Sequence, residues 1–368
     1  MKPESTLNGM KPSSNEAPAG MAAAQFKLLL LVGMVLQNSS TVLVGRYTRA
    51  GVPKEDQFDV NHLVLVIECG KFLLSCGLEF YFTHGKLAQS LQLHVFDHPY
   101  DALKIMVPAL LYLLQNTLLY VALANLTAPL FQVTYQAKLV TTAIVSVFML
   151  DRSYSSQQWV CLVALSLGVA TVVLGEGKDD GKDAATDVDL PLGLLCVSVA
   201  CLSSALAGVY FEKVLKKPAN DPSAPNKPAA SLWMRNIQLS FFSVLTAALQ
   251  GAFKGVPPER VGLHYLHGFS AWAWVLVFLQ AGGGLLVAAV IKYADNVLKG
   301  LATGVSVVLA TACSMVLFGT PITAQFTIGG IVILTAVYFF SNPLPINTNS
   351  PQTKKDENVV EVNKLLPK

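Results

Sequence analysis

The sequence predicts an all-α membrane protein, with ten transmembrane helices arranged as two inverted five-helix repeats. Three observations carry that reading. Of 368 residues, 53% are hydrophobic and only 13% are charged, against about 25% charged in soluble globular chains. Apolar runs recur at close to the ~20-residue length that crosses a bilayer as a helix. The pattern also repeats at a shift of 170 residues, which lays ANLTAPLFQVTYQAKLVTTAIVSVF, from Ala124, on ADNVLKGLATGVSVVLATACSMVLF, from Ala294. Ala124/Ala294, Thr141/Thr311 and Phe148/Phe318 match there without a gap, and at a shift of 164 Ser39-Ser40 and Tyr47 fall on Ser203-Ser204 and Phe211.

Taken in order, residues 1–24 are polar and low in bulky apolar side chains, which predicts a disordered tail. The small residues Ala22 to Ala24 precede the first apolar stretch, whereas a cleavable signal would carry them after it, so the span at about 26–45 is expected to stay as a helix. Further runs fall near 60–82, 103–124, 128–149, 157–175, 191–214, 232–253, 271–291, 297–318 and 323–341. This divides the chain into a first repeat at 25–175, an acidic linker at 176–190, a second repeat at 191–342 and a tail at 343–368. Five spans is an odd number, so the halves enter the membrane upside down relative to each other. That is the plan of secondary carriers, whose substrate site lies near the midplane between the halves.

The links set the orientation, because Lys and Arg gather on the cytosolic side. Between spans six and seven, Lys213, Lys216, Lys217, Lys227 and Arg235 outnumber Glu212 and Asp221. Between spans five and six, Glu176, Asp179, Asp180, Asp183, Asp187 and Asp189 outnumber Lys178 and Lys182. The first link is then cytosolic, the second lumenal, and both termini cytosolic. Arg46, Arg49 and Lys54 after span one run against this orientation.

Composition excludes several function classes. A net charge of +3 is too small to indicate nucleic acid. Cys69, Cys76, Cys161, Cys196, Cys201 and Cys313 all lie in apolar runs with no zinc spacing, so neither a metal nor a disulfide framework is expected. His94 and His98, at i,i+4, do not by spacing alone make a metal site. There is no GxxxxGK[ST] loop for ATP, no nucleophile motif and no catalytic carboxylate pair.

The polar residues inside the spans carry the chemistry. Lys138 sits near the middle of the run 129–150, where a free ammonium costs roughly 2.5–3.5 kcal/mol on insertion scales. A buried ion pair would explain it structurally; contact with an anionic ligand explains it functionally. Thr134, Lys138 and Thr141 share a helical stripe, flanked by Tyr135 and Thr142. Lys292 and Lys299 flank Asp295 and Asn296 in IKYADNVLKG. End-of-helix anchoring accounts for such lysines, but Lys292 turned inward would face Lys138. Two lysines in one cavity repel unless an anion joins them, and a diphosphate meets that need. Glu68 and Lys71, one turn apart, read as a self-neutralising pair or a gate. Tyr112, Gln115 and Asn116 stripe span three, and Arg235, Asn236 and Gln238 open span seven. Amides and phenols there suit either a base or sugar edge, or bonds between helices. Glycines 282–284, 300, 304, 329 and 330 suggest close helix packing before gating.

These residues resemble the Golgi nucleotide-sugar transporters of the drug/metabolite transporter superfamily, in the branch carrying CMP-sialic acid, UDP-galactose and UDP-N-acetylglucosamine. The similar stretches are RYTR (46–49), ECGKFLLS (68–75), LQN (114–116), QVTYQAKLVTTAIVSVFML (132–150), GVYFEKVLK (208–216), SLWMRNIQL (231–239) and KYADNVLKG (292–300). The resemblance implies ten helices, a Golgi membrane and exchange of a nucleotide sugar for the returning nucleoside monophosphate. It also implies that Lys138 and one lysine of the 292–299 motif lie by the nucleotide phosphates, with Tyr112, Asn116 and Asn236 lining the cavity. Phe131 stands where the family usually has Tyr before the glutamine matching Gln132, and Ala137 replaces the usual Leu. Ser240 stands where CMP-sialic acid carriers tend to have an aromatic, and RNIQLSFFS with YADNVLKG looks closer to the UDP-sugar carriers.

The expectation is a UDP-sugar/UMP antiporter of the Golgi membrane, not an enzyme, with UDP-N-acetylglucosamine and/or UDP-galactose as cargo. The alternatives are a CMP-sialic acid/CMP antiporter or a carrier of another phosphorylated metabolite. The expected substrate contacts are Lys138, Lys292, Lys299, Asn236, Asn116, Tyr112, Gln132, Tyr135 and Ser240; Glu68, Lys71 and Asp295 are gate or ion-pair residues. Partners are the nucleotide sugar, the nucleoside monophosphate and the lipid bilayer, with no nucleic acid and no cofactor. A homo-oligomer is compatible with the sequence.

Overall fold

The computed structural model describes residues 21–49, 52–53, 56–176, 189–216, 230–254, 265–319 and 322–342. The expectations for the two tails beyond these, and for most of the acidic linker, lie outside the described residues. What is described folds as helix. The long elements are α1 (Met21–Tyr47), α2 (Val60–Phe82), α3 (Met106–Asn125), α4 (Ala128–Tyr135 and Ala137–Leu150) and α5 (Ser156–Glu176), followed by α6 (Leu190–Leu215), α7 (Leu232–Lys254), α8 (Ala271–Tyr293), α9 (Asn296–Phe318) and α10 (Ala324–Ser341).

Among the described residues, eight helices are long and apolar enough to cross a membrane. The sequence reading counted ten. The two outside that group are α2, which carries Glu68, Lys71 and Glu79 along its length, and α7, which opens on Arg235 and Asn236. In both, the polar side chains are turned to protein. Glu79 is 1% exposed and accepts from the hydroxyls of Ser90 and Ser231, each at 2.5 Å. Arg235 is buried against the Asp101 carboxylate and donates to Gln238 Oε1 at 2.9 Å. The opposite situation holds on the outer surface. Phe148, Val316 and Tyr338 are largely exposed, as side chains facing hydrocarbon would be.

A buried pair is weak evidence for stability but costly to break, because the surviving partner is left uncompensated. Asp101→Ala should therefore destabilise the fold by about 3–5 kcal/mol. Chemical denaturation of the purified variant checks this; an unchanged midpoint would mean that Arg235 finds other acceptors.

The second departure from expectation is a break inside α4. Gln136 is in a turn, and its N–H bonds to Val133 O at 3.2 Å, a three-residue step, as does Leu139 N–H to Gln136 O at 3.3 Å. No proline or glycine marks the spot in the sequence. The interruption falls between Tyr135 and Lys138, inside the stripe expected from one uninterrupted helix, and the two side chains still meet across it. Thr134, Thr141 and Thr142 instead donate to their own helix at Leu130, Ala137 and Lys138 carbonyls.

Packing follows the small residues. α5 crosses α10 at Gly168 and Gly329, where a Cβ on Gly168 would lie 3.1 Å from Gly329 O. α1 packs on α8 and α9, α6 on α3 and α4, and α2 on α7 and α8. α7 also packs on α3. Gly284 of α8 makes room for the Lys71 stem, since a Cβ there would meet Lys71 Cδ at 2.7 Å, and Gly283 does the same for the Gln37 amide. Close helix approach is thus the role these glycines play.

Candidate functional site

The site is built around Tyr135, the last residue before the break in α4. Its hydroxyl accepts from Gln115 Nε2 of α3 and from Lys138 Nζ, both at 3.2 Å. The Lys138 ammonium also lies 5.3 Å from the centre of the Tyr135 ring, a cation–π distance. Phe131 stacks on Tyr135 at 5.8 Å, holding the ring in place from the preceding turn. On the other side the Cys201 thiol of α6 points to the Tyr135 carbonyl at 3.7 Å. Tyr112, one turn before Gln115 on α3, is near enough to Tyr135 for the two phenols to interact electrostatically.

A second cation enters from α9. Asp295 caps that helix through its carboxylate, accepting from Leu298 N–H at 2.6 Å, and this sets the helical phase. Lys299 follows within the first turn. The charges that reach its ammonium are Lys138, which repels, and Glu212, which attracts. Gly300, next in sequence, lets Leu139 of α4 approach α9 closely. Among the described residues neither Lys138 nor Lys299 has a carboxylate within ion-pair distance. Lys138 and Lys299 are thus two half-buried cations on adjoining helices, the first against the Tyr135 hydroxyl and the second within reach of Glu212.

The other expected residues take different places. Lys292, expected to face Lys138, lies over the Tyr293 ring at 5.4 Å at the end of α8. Asn236 and Ser240 share one face of α7 and are buried; Asn236 Nδ2 donates to its own helix at Leu232 O, while the Ser240 hydroxyl has no partner among the described residues. Gln132 is half-buried on the turn before Tyr135, and Asn116 is exposed. Glu68 and Lys71 form an ion pair at 2.5 Å against α8. Asp295 is paired too, with Arg152 at 3.3 Å. Cys201 escaped the sequence reading, since an apolar-run cysteine carries no local signal of what it faces. Arg152 and Glu212 escaped it because charges at span ends are ordinary.

A largely apolar helical bundle whose interior carries a polar, cationic site defines a multi-pass membrane carrier. The model of the family described as nucleotide-sugar transporter matches residues 22–341. The UDP-galactose translocator of Canis lupus familiaris is 41% identical over 330 residues, covering 88% of this chain and 79% of its own length. The human UDP-N-acetylglucosamine transporter is 38% identical over 331 residues, covering 88% of this chain and 97% of its own. One solved crystal structure, 15% identical, superposes with a TM-score of 0.57 over 86% of this chain and 96% of its own, and shows likeness of fold alone. The chain belongs to the nucleotide-sugar transporter family. It is a transporter and not an enzyme.

Proposed function

We propose that this protein imports a UDP-sugar, UDP-N-acetylglucosamine and/or UDP-galactose, into the Golgi lumen in exchange for UMP, by alternating access. The observation that carries the proposal is the pair Lys138 and Lys299, set on the adjoining helices α4 and α9 with no carboxylate within ion-pair distance of either among the described residues. A diphosphate supplies the missing charge. Tyr135 positions the first ammonium, and Tyr112, Gln115 and Asn116 on α3 offer amide and phenol groups to the uracil or sugar. Obligate exchange follows from the same charges: an empty cavity holding two unpaired cations crosses the occluded state poorly, and either anion relieves that cost. UMP carries nearly two charges near neutral pH, so the exchange is close to charge-balanced. Relatives that carry UDP-galactose and UDP-N-acetylglucosamine support the choice of cargo.

In this reading ten helices span the membrane as two inverted repeats, with both termini cytosolic. The packing supports it. Exchanging α1–α5 for α6–α10 turns α1·α8 into α6·α3, α1·α9 into α6·α4 and α2·α8 into α7·α3, while α2·α7 and α5·α10 map onto themselves. The cytosolic placement of the termini is supported by the basic link between α6 and α7 and the acidic one between α5 and α6.

The test is thermal stabilisation of the purified protein by UMP, CMP, GMP, AMP and their sugar conjugates. A ligand that binds the folded state raises its apparent stability, by about 2.7 kcal/mol at one hundred times its Kd. Stabilisation by UMP and UDP-sugars alone is expected. Stabilisation by CMP without UMP would replace this cargo with CMP-sialic acid, and no response to any nucleotide would sink the reading.

A further inference from the structure

The ends of the bundle differ in how they are held. α1, α8 and α9 pack on one another as one group, and α6, α3 and α4 as another. At the end where α8 turns into α9, the two groups are stitched together by charge. Glu212 of α6 is 0% exposed and accepts from Arg152 Nη2 at 2.5 Å, from Lys216 Nζ at 2.7 Å and from the backbone N–H of Asn296 at 3.1 Å. Lys216, one turn on, donates to the Ala294 carbonyl at 2.5 Å. Arg152 reaches across as well, to Asp295 at 3.3 Å.

The signs match the helix ends. The carboxylate meets the first N–H of α9, and the ammonium meets the last turn of α8, where the backbone presents positive and negative partial charge respectively. An i,i+4 Glu–Lys pair on one helix thus straddles the turn between two others. Local sequence prepares this. Asp151 adopts a left-handed conformation (φ 52°) that ends α4, and Ser155 and Gln158 cap each other's backbone N–H at 3.2 and 3.0 Å to start α5. The short link between them holds Arg152 against Glu212. Gly208, one turn back on α6, completes the fit, because a Cβ there would run into the Asn296 side chain. At the opposite end Arg46 of α1 donates to Ser314 and lies 4.7 Å over Phe318, both on α9, so that contact stays inside one group.

We propose that Glu212, Lys216 and Arg152 form a latch that grips the α8–α9 turn and closes this end of the cavity, and that the structure is the state closed there. The inference rests on the carrier reading above. It also gives Glu212 a positioning role for the site, since the gripped turn leads directly into Lys299. On release, Glu212 keeps Lys216 and Arg152 as partners and gives up the Asn296 N–H, while Asp295 gives up Arg152 and keeps the Leu298 N–H that it caps.

Cys201, in the wall of the site and 2% exposed, is the reporter. The other five cysteines are replaced by alanine, and the protein is placed in sealed vesicles with the latch end outward. A membrane-impermeant maleimide is added outside. Glu212→Gln keeps the size of the side chain and removes its charge; it should raise the Cys201 labelling rate about fivefold or more. Gly208→Ala, which obstructs the same closure by bulk alone, should raise it in the same direction. A single cooperative thermal unfolding transition, retained in both variants, shows that they fold. Unchanged labelling in both would overturn the latch while leaving the carrier reading intact. Failure of UMP to stabilise the unsubstituted protein would instead count against the carrier, and the labelling rates would still decide the latch.

Discussion

Lys138→Met is expected to abolish the proposed exchange of UDP-sugar for UMP and to weaken UMP binding by about 30-fold or more, while the folded protein becomes no less stable. The two effects have opposite physical origins. Truncating one partner of a buried, charge-assisted contact costs about 2–5 kcal/mol of binding, and 2 kcal/mol already corresponds to roughly 30-fold. An ammonium in the middle of a membrane segment, by contrast, costs the empty protein roughly 2.5–3.5 kcal/mol on insertion scales. Among the described residues, the groups that compensate Lys138 are the Tyr135 hydroxyl and ring. Methionine keeps the length of the stem, so packing is little disturbed. A structural lysine would behave the other way, losing stability with binding. Paired titrations of UMP binding and of thermal stability separate the two; wild-type-like uptake by the variant would remove the central claim.

The second large effect is a contrast between two lysines seven residues apart. Lys299→Met should weaken UMP binding to an extent comparable with Lys138→Met, whereas Lys292→Met should leave it within about threefold. The reason is placement. Lys138 is among the charges that reach Lys299, while Lys292 lies against Tyr293 on the other side of the α8–α9 turn. The Lys138→Met/Lys299→Met double variant should also lose less than the sum of the single losses, because both cations act on one anion. Equilibrium binding of UMP to the four proteins checks this, and a larger loss for Lys292 than for Lys299 would reverse the assignment.

How far the site was legible depends on how each residue announces itself. Lys138 and Tyr135 stand out in the sequence because a cation and a phenol interrupt an apolar run, and the cost of burying them is a local fact. Lys292 and Lys299 look equivalent there, since both flank Asp295 and Asn296. The proposal separates them by the capping of α9 at the Asp295 carboxylate and by the close approach of that helix to Leu139 of α4. The break at Gln136 carries no proline or glycine and could not be read at all. Glu212 and Arg152 are 60 residues apart, and a charge at the end of a span is by itself unremarkable.

The sequence alone determined that this is a helical membrane protein, where most of its spans begin and end, and that a cation sits in the middle of one of them. Hydropathy and the cost of a buried charge are summed residue by residue, so they need no neighbours. Only the tertiary structure decided which helices pair, which polar groups converge on Tyr135 and which end of the bundle is stitched by charge. Those outcomes depend on how closely helices approach, and that is set by contacts such as Gly208 with Asn296 and Gly300 with Leu139, between residues far apart in the chain.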